Sequence, residues 1–160
     1  MIVKYPSKVL STKASMPKIG FKDEELKKLV AKMKMAAFMC KGVGLAANQL
    51  GSSWPVFVFQ TNNEWKTAIN PALTILDETK VLASEGCLSI PGKEFPVFRA
   101  SKVRLEYIDI FGNEHDEEYE GWDARIVQHE WDHLNGTVVI DRFAELTESL
   151  NNGTQSESGD

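Results

Sequence analysis

Apolar residues first fall into register over residues 23–41, DEELKKLVAKMKMAAFMCK. There Leu26, Leu29, Val30, Met33, Ala37 and Cys40 recur at helical spacing, with Lys and Glu on the other side. The spacing predicts an amphipathic helix, with Asp23 as its N-cap and Gly42 as its stop. GVGLAANQLG (42–51) reads as a glycine-rich loop and PVFVFQ (55–60) as a strand. WKTAINP (65–71) and LTILDETKVLA (73–83) read as further strands around Pro71. Between 101 and 122, strand alternation on both sides of Phe111-Gly112-Asn113 predicts a hairpin. Helical periodicity returns over 123–134, DARIVQHEWDHL, with Ala124, Val127, Trp131 and Leu134 on one side and Asn135-Gly136 at its end. VVIDRF (138–143) reads as a short strand or extended exit, and NNGTQSESGD (151–160) as a disordered polar tail. The order of elements predicts an α+β fold, with antiparallel β-sheets packed around a central helix and residues 1–150 as one domain.

Composition narrows the classes of function. Of 160 residues, 42% are hydrophobic and 26% charged, an ordinary globular balance able to bury one core. The net charge of −5 argues against nucleic acid as the partner, since phosphate binding needs positive charge. No apolar run approaches a bilayer span of about 20 residues, so no membrane partner is expected. The opening MIVKYPSKVL lacks the apolar stretch of an export signal. The expected compartment is therefore the cytoplasm, where Cys40 and Cys87 stay reduced.

The strongest chemical signal is His129-Glu130-Trp131-Asp132-His133. Positions four apart share one face of a helix, so both imidazoles can reach one ion, and Glu130 stands beside the first ligand. Two histidines brought to one helix face by chance is the bland alternative. A catalytic ion also needs a third protein ligand and an open position. Downstream the options are poor: position 139 is Val where extended metallopeptidase motifs have His, and Glu145 and Glu148 lie on a short segment leading to the tail. Upstream, Cys87 in Glu85-Gly86-Cys87-Leu88-Ser89 is flanked by glycine in an extended segment. It reads as the third ligand, against the alternatives of a small buried hydrophobe or the nucleophile of a Cys–His pair. Cys40, on the apolar side of the first helix, is expected in the core. The loop 42–51 reads either as a helix stop with a tight turn or as a loop whose small residues let a substrate backbone come close, in which case Gln49 can donate to an oxyanion.

GVGLAANQLG, EGCLSIPG and QHEWDHLNG, in this order, resemble the three signature motifs of the peptide deformylase family, and the resemblance runs from about residue 3 to Arg142. It implies hydrolysis of the formyl group from N-terminal formylmethionine on nascent peptides, releasing formate. It implies that Cys87, His129 and His133 hold a divalent metal, natively Fe(II), with Zn, Ni or Co as substitutes. Glu130 is then the proton carrier, and Gln49 and the backbone N–H of Leu88 stabilise the oxyanion. Gly44 and the strand near Leu45 pair with the substrate backbone. The methionine pocket is expected around Val43, Glu85, Gly86, Trp122, Arg125, Ile126 and His129, with Arg99 and Glu85 fixing the loop. Two departures stand out: Asn48, where many members have Thr or Pro, and a short C-terminus without Lys or Arg after Arg142. The second is similar to phage-encoded or compact bacterial forms and implies weak or no ribosome docking through the tail. A zinc endopeptidase, a structural metal module and an inactive relative are the competing readings.

Overall fold

The strand PVFVFQ explains most of the architecture, because its apolar run points both ways. In the computed structural model, which describes residues 1–16 and 23–155, this strand is β2 (Val56–Thr61). It is the second strand of a five-stranded antiparallel sheet whose order β1-β2-β3-β4-β5 follows the chain. The other strands are β1 (Gly44–Ala46), β3 (Glu64–Cys87), β4 (Ile90–Ile108) and β5 (Glu114–Glu120). Side chains alternate across a strand. Val56 and Val58 pack with Leu26, Val30, Met33 and Ala37 of helix α1 (Asp23–Met39). Phe57 and Phe59 enter the other core, with Ala124, Val127 and Leu134 of helix α2 (Gly121–Leu134). Phe59 meets the rings of Tyr107 and Tyr119 edge-on, at centroid distances of 6.2 and 5.7 Å. The expected α+β arrangement is therefore found: the sheet wraps α2, and α1 covers its outer face.

Several local expectations are corrected. The strands expected at 65–71 and 73–83 are one long strand, β3. Pro71 cannot donate to the ladder, and the interruption appears as a register shift between Ile69 and Ala72, with Asn70 at φ 48. The partner strand β4 begins at Ile90, well before the expected start at 101, because β3 offers it an edge that far. The loop 42–51 contains strand β1 and a 3₁₀ turn, Ala47–Leu50. VVIDRF is helical: α3 runs from Val139 to Gln155. The β-branched residues favour a strand only weakly, and packing overrides them. The Val138 amide donates to the Asp141 carboxylate at 2.8 Å, and the Phe143 ring packs on Phe95 of β4, centroids 5.6 Å apart. Residues 151–155 of the expected tail thus continue α3, and 156–160 lie outside the described residues. Cys40 is exposed, not in the core. Helix α1 ends at Met39, and Lys41 turns the chain at φ 55, which carries Cys40 off the packed face. Among the described residues no helix is long and apolar enough to cross a membrane.

Phe59 and Phe111 separate core from surface. Phe59 is fully buried, whereas Phe111 is 85% exposed. Phe59→Ala is expected to cost about 3–5 kcal/mol in chemical denaturation, and Phe111→Ala to fall within about 0.5 kcal/mol of the parent. Equal effects would contradict this assignment of the core.

Candidate metal centre and active site

Helix α2 carries two faces with different tasks. Ala124, Val127 and Leu134 are in the core, with Trp131 partly buried against it. His129, Glu130 and His133 lie toward the end of β3, and the two imidazole rings are 5.0 Å apart between centroids. The helix ends with Asn135 donating to the Trp131 carbonyl at 2.9 Å and Gly136 at φ 73. A side chain at Gly136 would also press on the Ser11 backbone, its Cβ at 2.8 Å, so glycine is required there twice over.

Cys87 is the last residue of β3, just past a register shift between Gly86 and Cys87. Its Sγ is 3.4 Å from His133 Nε2, and the ligand atoms of Cys87, His129 and His133 lie within 4.8 Å of one another. A thiol and two imidazoles this close form a donor set suited to a transition-metal ion. The surroundings agree. His129 Nδ1 is 2.9 Å from Glu85 Oε2, leaving Nε2 for the centre, the usual carboxylate support of a ligating histidine. Burial opposes a proton on His129, but its bonds to Cys87 and Glu85 outweigh that and raise its pKa to about 10. Burial first, and then the charges of His129 and Arg99, lower His133 well below the usual histidine range and keep it neutral.

Glu85 is 4% exposed and highly connected. Arg99 Nε and Nη2 donate to it at 2.8 and 2.9 Å, and Arg125 Nη1 at 2.8 Å. Burial would raise its pKa, yet the Arg99 guanidinium and His129 hold it well below the ordinary range. Arg99 reaches on to Asp132 at 2.5 Å, and Arg142 of α3 donates to the same carboxylate at 2.7 and 2.9 Å. Arg99 and Glu85 therefore tie β3, β4 and α2 together beneath the centre.

Glu130 is 5% exposed, and its Oε2 has no hydrogen-bond partner. Burial pushes its carboxyl up to about 7, with His129 opposing and Glu85 adding. A Cβ at Gly44 would overlap the Glu130 carboxylate, so glycine at 44 is what lets β1 lie against it. Gln49 is held by both ends of its amide. Oε1 accepts from the Ala46 N–H at 2.9 Å, and Nε2 lies 3.1 Å from Ser89 Oγ and 3.7 Å from Cys87 Sγ. Asn48 donates to the His133 carbonyl at 2.6 Å, joining this loop to α2.

A cleft of about 1040 Å³ opens over the centre. Its lining includes Gln49, Cys87, Leu88, His129 and Glu130, and the expected pocket residues Val43, Gly44, Glu85 and Gly86. Trp122, Arg125 and Ile126 line it as well. Leu45 does not: its side chain is fully buried in the α1 core, because β1 alternates and sends Leu45 inward. His133, 1% exposed, closes the set from below. Sequence reasoning missed Lys4, which donates to the Leu88 carbonyl at 2.7 Å across 84 residues. No local pattern could reveal that contact. It also missed Cys40, Lys41 and the wall from Ile90 to Glu94.

Comparison with known proteins gives one answer. The family profile described as polypeptide deformylase matches residues 1–149. The peptide deformylase of Thermotoga maritima is 40% identical over 122 residues, covering 76% of this chain and 74% of that one. Its crystal structure is similar with a TM-score of 0.84 at 37% identity, over 89% of this chain and 96% of that chain. The peptide deformylase of Desulfosudis oleivorans is 36% identical over 154 residues, covering 93% and 88%. A probable peptide deformylase from synechococcus phage S-SSM7 is similar with a TM-score of 0.82 at 32% identity, over 89% and 99%. The three motifs, the sheet wrapped on α2 and the Cys-His-His cluster thus have one common explanation: this chain belongs to the peptide deformylase family, divalent-metal hydrolases that remove the formyl group from the N-terminal formylmethionine of new proteins.

Proposed function

We propose that residues 1–150 form the catalytic domain, that Cys87, His129 and His133 are the metal ligands, and that Glu130 is the catalytic carboxylate. The observation that carries this reading is Glu130: a buried carboxylate with an unpartnered oxygen, lining the same cleft as Cys87 and His129. The native ion is Fe(II), with Zn, Ni or Co as substitutes; when bound, it polarises the formyl carbonyl and makes water acidic enough to attack at neutral pH. Glu130 takes the proton from the attacking water and returns it to the departing amine, a task suited to a carboxyl titrating near the working pH. Gln49 Nε2, oriented by Ala46 and Ser89, and the Leu88 backbone N–H stabilise the oxyanion.

The substrate backbone runs along β1. The Val43 carbonyl accepts from the Gln60 N–H at 2.8 Å, so alternation turns the amide groups of Val43 and Leu45 toward β2 and those of Gly44 outward into the cleft. Leu45 therefore contributes by fixing the strand, and Gly44 by pairing with the peptide. The methionine side chain lies among Val43, Glu85, Gly86, Trp122, Arg125 and Ile126. The reading places the enzyme in the cytoplasm of a bacterium, or of its host for a phage-encoded chain. It also includes weak ribosome docking, since α3 after Arg142 presents Glu145 and Glu148 and no Lys or Arg. Cosedimentation with ribosomes at physiological salt should find little bound; tight binding lost on deleting residues 151–160 would refute it.

The ligand assignment is tested by metal analysis of anaerobically purified protein. Cys87→Ala should lose the tightly held ion, whereas Cys40→Ala should keep one equivalent. Oxygen should inactivate the parent enzyme in step with oxidation of Cys87. A Cys87→Ala protein retaining full metal and activity would remove Cys87 from the site.

Glu130→Gln should retain metal while kcat falls by about 10²–10⁴-fold. Loss of the ion in this variant would make Glu130 a ligand instead.

The function itself is tested by formate release. A formyl-Met peptide should be cleaved far better than its acetyl-Met counterpart, because the proposed site is shaped for the smallest acyl group. Comparable kcat/KM values, or cleavage within an unblocked peptide, would favour the endopeptidase reading.

A further inference from the structure

The outer walls of the cleft carry charge that removal of a formyl group does not need. Lys4, Lys41 and Lys93 line it and are exposed, against one exposed carboxylate, Glu94. The remaining charged groups are already committed. Glu85 and Arg125 bond to each other at 2.8 Å, and Glu130 lies with the ligand cluster. In a chain of net charge −5, a cleft mouth with three lysines and one glutamate is a local reversal of sign.

The lysines come from three segments. Lys4 is anchored at the site, its Nζ 2.7 Å from the Leu88 carbonyl. Lys41 occupies the turn between α1 and β1, where its amide donates to the Phe38 carbonyl at 3.0 Å and its φ is 55. Lys93 stands on β4 beside Glu94, the register partner of Gly86. Among the described residues, neither Lys41 nor Lys93 has an ion-pair partner. On the substrate path proposed above, a peptide held by the outward edge of β1 with its formyl group at the Cys-His-His cluster leaves through this lysine-lined cleft. Its side chains alternate in direction, so its second and third residues face opposite sides.

We propose that this lysine-rimmed mouth is a specificity determinant. It selects formyl-Met peptides that carry Asp or Glu at the second or third position. The inference rests on the substrate path given under the proposed function. Each contact is solvent-exposed and therefore weak, but the three charges act together and reach about 8–10 Å at moderate salt. The selection should appear mainly in KM and fade as salt screens it.

The test uses the metal-loaded full chain and C-terminally amidated peptides, so that the substrate's own terminus adds no charge. Formyl-Met-Glu-Ser-Ala, formyl-Met-Lys-Ser-Ala and formyl-Met-Ala-Ser-Ala are compared, together with the versions that place the charge at position three. The acidic-to-basic ratio of kcat/KM should be about three- to tenfold at low salt and approach one at high salt. Lys41→Glu combined with Lys93→Glu should reverse the order. Lys41→Gln and Lys93→Gln, which keep the side-chain polar without the charge, should each reduce the ratio if the double reversal does not fold. A wild-type ratio near one at low salt, a preference for the basic peptide, or a ratio indifferent to these substitutions overturns the proposal. Normal turnover of the neutral peptide in that case leaves the deformylase reading intact, whereas loss of all turnover would sink both.

Discussion

Glu85 accepts hydrogen bonds from Arg99, Arg125 and His129 while almost fully withdrawn from water. A carboxylate in that position is costly unless every oxygen is matched, and removing one partner of a buried pair typically costs about 3–5 kcal/mol. The rest of the site is built on that match. Arg99 comes from β4, Arg125 and His129 from α2, and Glu85 itself from β3, two residues before Cys87. Keeping the carboxylate paired therefore sets the distance between the end of β3 and the helix, which is the distance between Cys87 and the two histidines. It also decides which nitrogen of His129 faces the centre, since Nδ1 is engaged with Glu85.

The same network extends outward. Asp132, inside the HEWDH motif, accepts from Arg99 on one side and from Arg142 of α3 on the other. The C-terminal helix is thus bonded to the helix that carries His129 and His133, and it also packs on β4 through Phe143 and Phe95. A residue that local periodicity marks as a spacer between two histidines serves as a structural junction. Close approach matters equally on the opposite wall. Gly44 brings β1 against Glu130, and the bond from Asn48 to the His133 carbonyl binds the following turn to α2. Loop, strand end and helix therefore meet with little freedom, as a preorganised site requires.

Local patterns in the chain carried much of this. Period gave α1 and α2 to within two residues at each end, because each buries one face against the sheet, although Asp23, expected as the cap, is the first residue of α1 itself. The spacing of His129 and His133 is itself a geometric statement, since a helix brings such residues together whatever surrounds it. Cys87 could be argued from its glycine neighbour and from the poor downstream alternatives. Where local pattern misled, the deciding force was non-local: VVIDRF is β-branched yet helical because it packs on β4, and Cys40 continues the apolar register of α1 past the point where the helix ends.

The sequence by itself determined the helices α1 and α2, the Cys-His-His candidate set and the family, because periodicity and motif spacing are properties of neighbours along the chain. Only the tertiary structure decided that Glu85, Arg99, Arg125 and Asp132 form one buried network, that Gly44 is the surface on which Glu130 rests, and that Lys4 reaches the carbonyl of Leu88. These partners lie on different elements, and their pairing is fixed by strand register, helix docking and the demand that buried charges be matched.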